Sequence, residues 1–417
     1  MIKDTELAVA VALWTRSGSE TEQMRFDEIY SLADTAGVQV VEGFTQVRSL
    51  PDRRYYIGPG KAEEIAGYVR DNDIATVLVD AELSPSQVHN LEKVIPAKII
   101  DRSELILDIF ANRANSREGK LQVELAQLKY QLPKLSGRGR DLSRLAGGIG
   151  TRGPGETKLE VDRRRIRRRI TVLERELKQV DRQRSILRKR REKGGIFQVA
   201  LVGYTNSGKS TLLNGLTDAN TYTADALFAT LDPLSRRLET DKGTMVISDT
   251  VGLISGLPHH LIAAFRATLE VVVNADLLVH VVDIAQPQLE LRLAEVQQVL
   301  TGLGCSNTDQ VVAANKVDLL PPDTNIERLL QDNAPWIGIS ALNGHNLDKL
   351  LAEITERMES LVSLRATVPL ELFKKLSKEH PGQIQPLAFA KDSVEIEACL
   401  PRHLAETLEH FKKETPC

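Results

Sequence analysis

Hydrophobic positions recur along this chain with two periods, and the changes of period divide it into parts. Leu7–Trp14, Val38–Phe44, Thr76–Asp80 and Lys98–Ile100 are short and rich in β-branched residues, as buried strands are. Between them Glu22–Asp34, Lys61–Arg70 and Gln87–Val94 carry helical spacing, the last entered through Ser84-Pro85. This alternation predicts a small parallel sheet flanked by helices. From Ser103 the pattern turns helical, and Gly119–Gln131 places Leu121, Leu125 and Leu128 on one face. Seven glycines follow between Gly137 and Gly155, among Arg138, Arg140, Arg144 and Arg152, with almost nothing to bury, which predicts an exposed loop. Thr157-x-x-Glu160 reads as a capping box opening a long helix. Ile166, Ile170, Leu173, Leu177, Val180 and Leu187 form a seam on that helix, closed by an antiparallel partner from Gly119 onward. Gly194-Gly195 reads as a hinge, and Ile196–Val202 and the apolar run Ala275–Ala285 as buried strands.

The predicted architecture is α/β. Residues 1–102 form a small α/β unit and residues 103–195 a helical, coiled-coil unit with the basic glycine loop. Residues 196–364 form a mostly parallel sheet flanked by helices, and residues 365–417 a small α+β unit. At 417 residues the chain is too long for one core.

Composition adds one large fact. A hydrophobic content of 42% and a charged content of 27% are ordinary for a water-exposed globular protein. No run is long and apolar enough to span a bilayer, and the N-terminus lacks the basic flank and cleavage site of a signal peptide. Cys305, Cys399 and Cys417 form neither a disulfide framework nor a zinc spacing. The expectation is a cytoplasmic monomer without membrane insertion, which meets a membrane only through its partners. The net charge of −3, however, is very unevenly spread: Lys134–Lys193 holds 21 Lys or Arg against 8 Asp or Glu, so +13 sits there and −16 elsewhere. An arginine-rich helix is ordinarily a solvated surface. Here too few acids neighbour Arg163, Arg164, Arg167 and Arg168, and a basic glycine loop with Arg138, Arg140 and Arg152 sits at the helix tip. Contact with a polyanion, chiefly with nucleic-acid phosphates, is the expectation.

The chemistry lies after the hinge. Gly203-Tyr204-Thr205-Asn206-Ser207-Gly208-Lys209-Ser210, followed by Thr211, matches GxxxxGK[ST] between a strand and a helix. Glycines let backbone N–H groups curl around phosphates, Lys209 neutralises the terminal ones, and the Ser210 hydroxyl ligates Mg2+. Phe228-Ala229-Thr230-Leu231-Asp232 supplies Thr230, whose hydroxyl completes the metal shell when a third phosphate is present. Asp249-Thr250-Val251-Gly252 offers a carboxylate for water-mediated metal contact and the Gly252 amide for the γ-phosphate. In Asn315-Lys316-Val317-Asp318 the Asp318 carboxylate accepts from N1–H and the 2-amino group of guanine, while Ser340-Ala341-Leu342 packs beneath the base. Lys209, Thr230, Asp249 and Gly252 are thus the catalytic set of a GTP- and GDP-binding domain. After Gly252, where a water-orienting glutamine is common, stands Leu253, so unaided hydrolysis should be slow. Asn206 reads either as a potassium ligand or as a loop hydrogen bond.

This set resembles the HflX family of ribosome-associated bacterial P-loop GTPases. The resemblance also rests on Tyr56-Ile57-Gly58-Pro59-Gly60-Lys61, Leu83-Ser84-Pro85-Ser86-Gln87 and Gly119–Leu128, and most specifically on Gly147-Gly148-Ile149-Gly150-Thr151-Arg152-Gly153-Pro154-Gly155-Glu156-Thr157. It implies a factor that binds the large ribosomal subunit and its rRNA through the glycine loop and splits or rescues ribosomes stalled under stress. It also implies, for some members, ATP binding at the N-terminal unit and RNA remodelling. The Tyr56–Lys61 turn reads on its own residues either as a phosphate site at a helix N-terminus or as a strand-to-helix turn. An ATP-driven RNA-remodelling enzyme with a regulatory GTPase domain is the alternative function. A binding module acting on a protease or membrane protein is a third.

Overall fold

The computed structural model describes residues 6–15, 20–145, 154–193, 196–217, 227–228, 234–255, 266–321, 324, 336–359, 361–379, 383–401, 408 and 411. Its mixed α/β architecture agrees with the alternation read from the sequence. Strands β1 (Glu6–Trp14), β2 (Val38–Val47), β3 (Thr76–Val79) and β4 (Lys98–Asp101) make a four-stranded sheet in the order β2-β1-β3-β4, and every pair is parallel. Helices α1 (Glu20–Ala36), α2 (Pro59–Asp71), α3 (Pro85–Val94) and α4 (Arg102–Arg113) belong to this unit. The inner strands β1 and β3 are buried on both faces because helices cover both, whereas the edge strand β2 is partly exposed. Ser84 and Gln87 close a reciprocal capping box at α3, with Pro85 in the first turn. At the Tyr56–Lys61 turn the Gly58 N–H donates to Gln46 Oε1 at 2.7 Å, and α2 begins at Pro59.

Helix α5 spans Arg117–Leu145 and α6 spans Pro154–Lys193. Both depart from expectation. The stretch from Gly137 to Leu145, read as loop, is helical: a glycine inside a helix costs only about 1 kcal/mol, so two glycines do not end α5. Likewise α6 starts at Pro154, ahead of the expected cap at Thr157; proline at a first helical position loses no hydrogen bond. Residues 146–153, Arg152 among them, lie outside the described residues, as do the side chains of Arg138 and Arg140. The central part of the seam is present: Leu121, Leu125 and Leu173 form a buried cluster joined by Leu128, Ile170 and Leu177, while Ile166 and Val180 lie outside it and the Leu187 side chain is outside the described residues.

The second sheet has the order β10-β9-β8-β5-β7-β6. It contains β5 (Phe197–Val202), β6 (Leu234–Thr240), β7 (Gly243–Asp249), β8 (Leu277–Asp283), β9 (Asp309–Asn315) and β10 (Trp336–Gly338). Only the β6–β7 pair is antiparallel. Helices α7 (Lys209–Thr217), α8 (Arg266–Val273), α9 (Leu289–Gly302) and α10 (Leu347–Glu359) accompany it. Strand β11 (Leu361–Pro369) runs across the expected boundary at residue 364. It pairs with β13 (Ser393–Pro401), which pairs with β12 (Ile384–Phe389), all antiparallel, with α11 (Leu370–Glu379) between β11 and β12.

Asp101 is the joint between the first sheet and the long helices. Its buried carboxylate caps α4 by accepting from the Glu104 N–H at 2.9 Å and accepts from the Leu83 N–H at 3.2 Å. From α5 it receives the Tyr130 hydroxyl and the Lys134 ammonium, the latter at 3.4 Å. Replacing Asp101 by Ala removes a cap and strands several buried donors, so it should cost about 3 kcal/mol. Urea unfolding of the variant checks this; a midpoint equal to that of the parent would refute the role.

Candidate nucleotide-binding site

The sequence motifs converge at the carboxyl ends of β5, β7, β8 and β9, where ligands of parallel α/β sheets bind. The loop from Gly203 to Gly208 joins β5 to α7. Gly208 is at φ +92°, and a Cβ there would run into the Asn315 side chain, so only glycine serves. Asn206 adopts φ +60°, a conformation asparagine tolerates better than most residues. Lys209, buried at the start of α7, donates to the carbonyls of Gly203 at 3.2 Å and Tyr204 at 2.7 Å. Burial pushes its ammonium down to about 8, with the Asp249 charge opposing that shift.

Ser210 Oγ donates to Asp249 Oδ2 at 2.6 Å, while the buried Asp249 Oδ1 has no hydrogen-bond partner. A hydroxyl whose proton is so engaged presents its lone pairs outward, and the orphan carboxylate oxygen stands beside it. These are hard oxygen donors, and together with phosphate oxygens they fit Mg2+.

The Asp249–Gly252 segment is fastened to the phosphate loop. Thr250 Oγ1 donates to the Leu201 carbonyl at 2.7 Å, the Thr205 N–H to the Leu253 carbonyl at 2.8 Å, and the Leu253 N–H to the Gly203 carbonyl at 3.1 Å. A Cβ on Gly252 would lie 2.7 Å from Thr205 Cα, so the close approach requires glycine. Leu253 is buried in the apolar cluster that holds Phe228, Ile254, Leu269 and, from the first sheet's helices, Phe110. The position is apolar because it is a packing position. Phe228 meets Phe110 edge-to-face with ring centres 4.6 Å apart. Ala229, Thr230, Leu231 and Asp232 lie outside the described residues.

At the far end, Asn315 bridges two loops: its Nδ2 donates to the Ser207 carbonyl at 2.8 Å and its Oδ1 accepts from the Ala341 N–H at 2.9 Å. Asp318 is exposed in a short 3-10 turn, Ser340 and Ala341 are buried, and Leu342 points outward at 78% exposure, apart from the rest of the set. Val317 follows Lys316 into the same turn.

Sequence reasoning missed the residues beneath the phosphate loop. Arg102, the first residue of α4 and 2% exposed, donates to Asp80 Oδ1 at 2.7 Å, to Glu28 Oε2 at 2.5 Å and to the Ser255 carbonyl at 3.0 Å. Tyr204 sends its hydroxyl to Glu28 and accepts from the Ser255 N–H at 2.7 Å, so its side chain serves this joint. Burial raises the Glu28 carboxyl above its ordinary range, against the pull of Arg102 and Tyr204. Nothing local in the sequence marks Arg102, because its partners lie 22, 74 and 153 residues away.

Comparison with known proteins agrees with this geometry. Family models described as GTP-binding GTPase N-terminal, GTP-binding GTPase Middle Region and 50S ribosome-binding GTPase match residues 23–111, 113–191 and 198–316. GTPase HflX of Caldanaerobacter subterraneus subsp. tengcongensis is 44% identical over 99% of this chain and 95% of its own. The chain belongs to the HflX family of GTPases. HflX of Escherichia coli is 42% identical over 86% of this chain and 84% of its own. A solved GTP-binding protein of Sulfolobus solfataricus, in complex with GDP, is 25% identical with a TM-score of 0.43, covering 85% of this chain and 99% of that one. Like its HflX relatives the protein binds and hydrolyses GTP, and no helix among the described residues is long and apolar enough to cross a membrane.

The lowered Lys209 value has a consequence for pH. A Lys209 that pairs with phosphate does so as the ammonium, so above pH about 8 nucleotide binding through it would first take up a proton. GDP affinity should be flat below pH 8 and fall by roughly tenfold by pH 9, which fluorescence titration measures. Constant affinity through pH 9 would contradict the assignment.

Proposed function

We propose that this HflX-family enzyme is a nucleotide-gated factor for the large ribosomal subunit. GTP sets its affinity, hydrolysis resets it, and the bound form splits or rescues stalled ribosomes under stress. The observation that carries the reading is the face of α6: Arg164, Arg167 and Arg168 are exposed and Arg163 half-buried, whereas Arg169 alone of that run is clamped by Glu124, with two bonds of 2.7 Å. Their positive charge faces solvent on a 40-residue helix whose tip carries the glycine-rich segment. The family model matching residues 198–316 is described as 50S ribosome-binding. Salt-dependent phosphate contact is what such a face does.

At the nucleotide site the roles follow the chemistry. Lys209 and the loop amides hold the phosphates, Ser210 and Asp249 hold Mg2+ with Thr230, and Gly252 offers its amide to the γ-phosphate. Asp318 reads guanine, with Asn315 fixing the loops on either side. When bound, Mg2+ neutralises charge developing on the phosphoryl oxygens. Leu253, packed into the apolar cluster, has no polar group to orient water, so turnover in isolation is slow and the partner speeds it. The proposal includes a potassium ion at Asn206, read by comparing turnover in potassium and in sodium.

Base choice tests the pocket. Asp318→Asn turns an acceptor into a donor toward N1–H, which should weaken GTP by several kcal/mol and admit xanthosine nucleotides. Unchanged GTP affinity would show the pocket to be elsewhere.

The partner is tested by sedimentation with large subunits in GTP, GDP and ATP analogues, together with turnover. Subunits should raise turnover at least about tenfold, equivalent to about 1.4 kcal/mol of barrier. Deleting residues 137–153 should abolish the stimulation while leaving GDP binding intact. Changing Arg163, Arg164, Arg167 and Arg168 to Gln should weaken association and flatten its salt dependence. Full stimulation in the deletion would place the docking surface elsewhere, and retention driven by ATP alone would favour RNA remodelling.

A further inference from the structure

Lys316 is a non-glycine residue in the left-handed region, at φ +66° and ψ +33°, where an L side chain crowds its own backbone. It sits between Asn315, which ties the phosphate loop to Ala341, and Asp318. Any relaxation of its backbone therefore displaces the turn that carries the base-reading carboxylate. Something must hold it. The Lys316 ammonium lies 2.7 Å from Asp283 Oδ2, and both side chains are largely shielded, at 22% and 9% exposure. Shielding matters, because fully exposed pairs of this kind contribute almost nothing.

Asp283 is itself fixed. It is the last residue of β8, in register opposite Asn315 on β9. Its Oδ1 accepts from the Ala285 N–H at 3.1 Å, and its other oxygen is left for Lys316. The Ile284 N–H donates to the Asn315 carbonyl at 3.1 Å, continuing the ladder past the strand end. The carboxylate is thus aimed by two strands at one lysine.

We infer that Asp283 is a positioning residue of the guanine-nucleotide site, holding Lys316 in its left-handed conformation and so setting the Asn315–Asp318 turn. It touches no reacting atom. It acts on binding, equally for GTP and GDP, which share the base and ribose, and leaves the chemical step alone. The inference rests on the placement of the base pocket at Asp318.

The experiment is a double-mutant cycle read by GDP titration and by steady-state turnover on the full chain. Asp283→Asn keeps an oxygen for the Ala285 N–H and removes the charge. It should weaken GDP binding and raise KM about tenfold with kcat within about twofold, preference for guanine over xanthine being kept. Asp283→Glu, which restores the charge, should recover most of the loss. In a Lys316→Gly background, where glycine adopts the left-handed backbone without strain, Asp283→Asn should add less than about twofold. Parental affinity in Asp283→Asn, or effects that multiply in the double variant, overturns the inference. So does a loss in Asp283→Glu as large as in Asp283→Asn. If Asp318→Asn alters base preference while Asp283→Asn has parental affinity, only this inference falls and the pocket stands.

Discussion

A buried guanidinium, that of Arg102, joins the first sheet's unit to the second sheet's. Arg102 reaches Asp80 at the end of one sheet's central strand, Glu28 on α1 and the carbonyl of Ser255 beyond the Asp249–Gly252 segment. A guanidinium in that position costs several kcal/mol of desolvation, which is offset here at its two terminal nitrogens by two carboxylates and by the carbonyls of Ser255 and Arg25, while its buried Nε–H has no partner among the described residues. The geometry is directional, since the planar fork of donors admits few arrangements. The relative placement of the first sheet and the nucleotide site is therefore specified as well as stabilised.

The consequence reaches the nucleotide site itself. Glu28, neutralised by Arg102, accepts the hydroxyl of Tyr204, a residue inside the phosphate loop, and that hydroxyl accepts the Ser255 N–H. Phe110, on the same helix as Arg102, packs against Phe228 on the approach to Thr230. Both segments that would report the third phosphate are thus bordered by side chains of the N-terminal sheet's helices. Leu253 belongs to the same apolar cluster, which explains why an alkyl side chain stands there.

The long helices divide the charge from the chemistry. Asp101 fixes the base of α5 through Tyr130 and Lys134, and the leucine seam joins α5 to α6. Beyond the seam, α6 turns Arg164, Arg167 and Arg168 to solvent, because the acids nearby are engaged elsewhere: Glu124 pairs with Arg169, and Glu174 and Glu176 pair with Lys129 and Arg117 of α5.

What the sequence by itself determined are the features that depend on near neighbours. The alternation of strands and helices, the phosphate loop, the seam and the order of nucleotide motifs all follow from spacing, which local sterics and periodic burial enforce. The stretch 137–145 reads as loop for the same reason: its glycines signal a break locally, whereas α5 continues through them. Only the tertiary structure decided which side chains meet across long gaps. Arg102 with Glu28 and Ser255, Tyr204 with Glu28, and Asp283 against Lys316 are each formed by folds of chain that no local pattern encodes. Their physical cause is burial: a charge or hydroxyl removed from water must find a partner, and which partner is near is settled by topology.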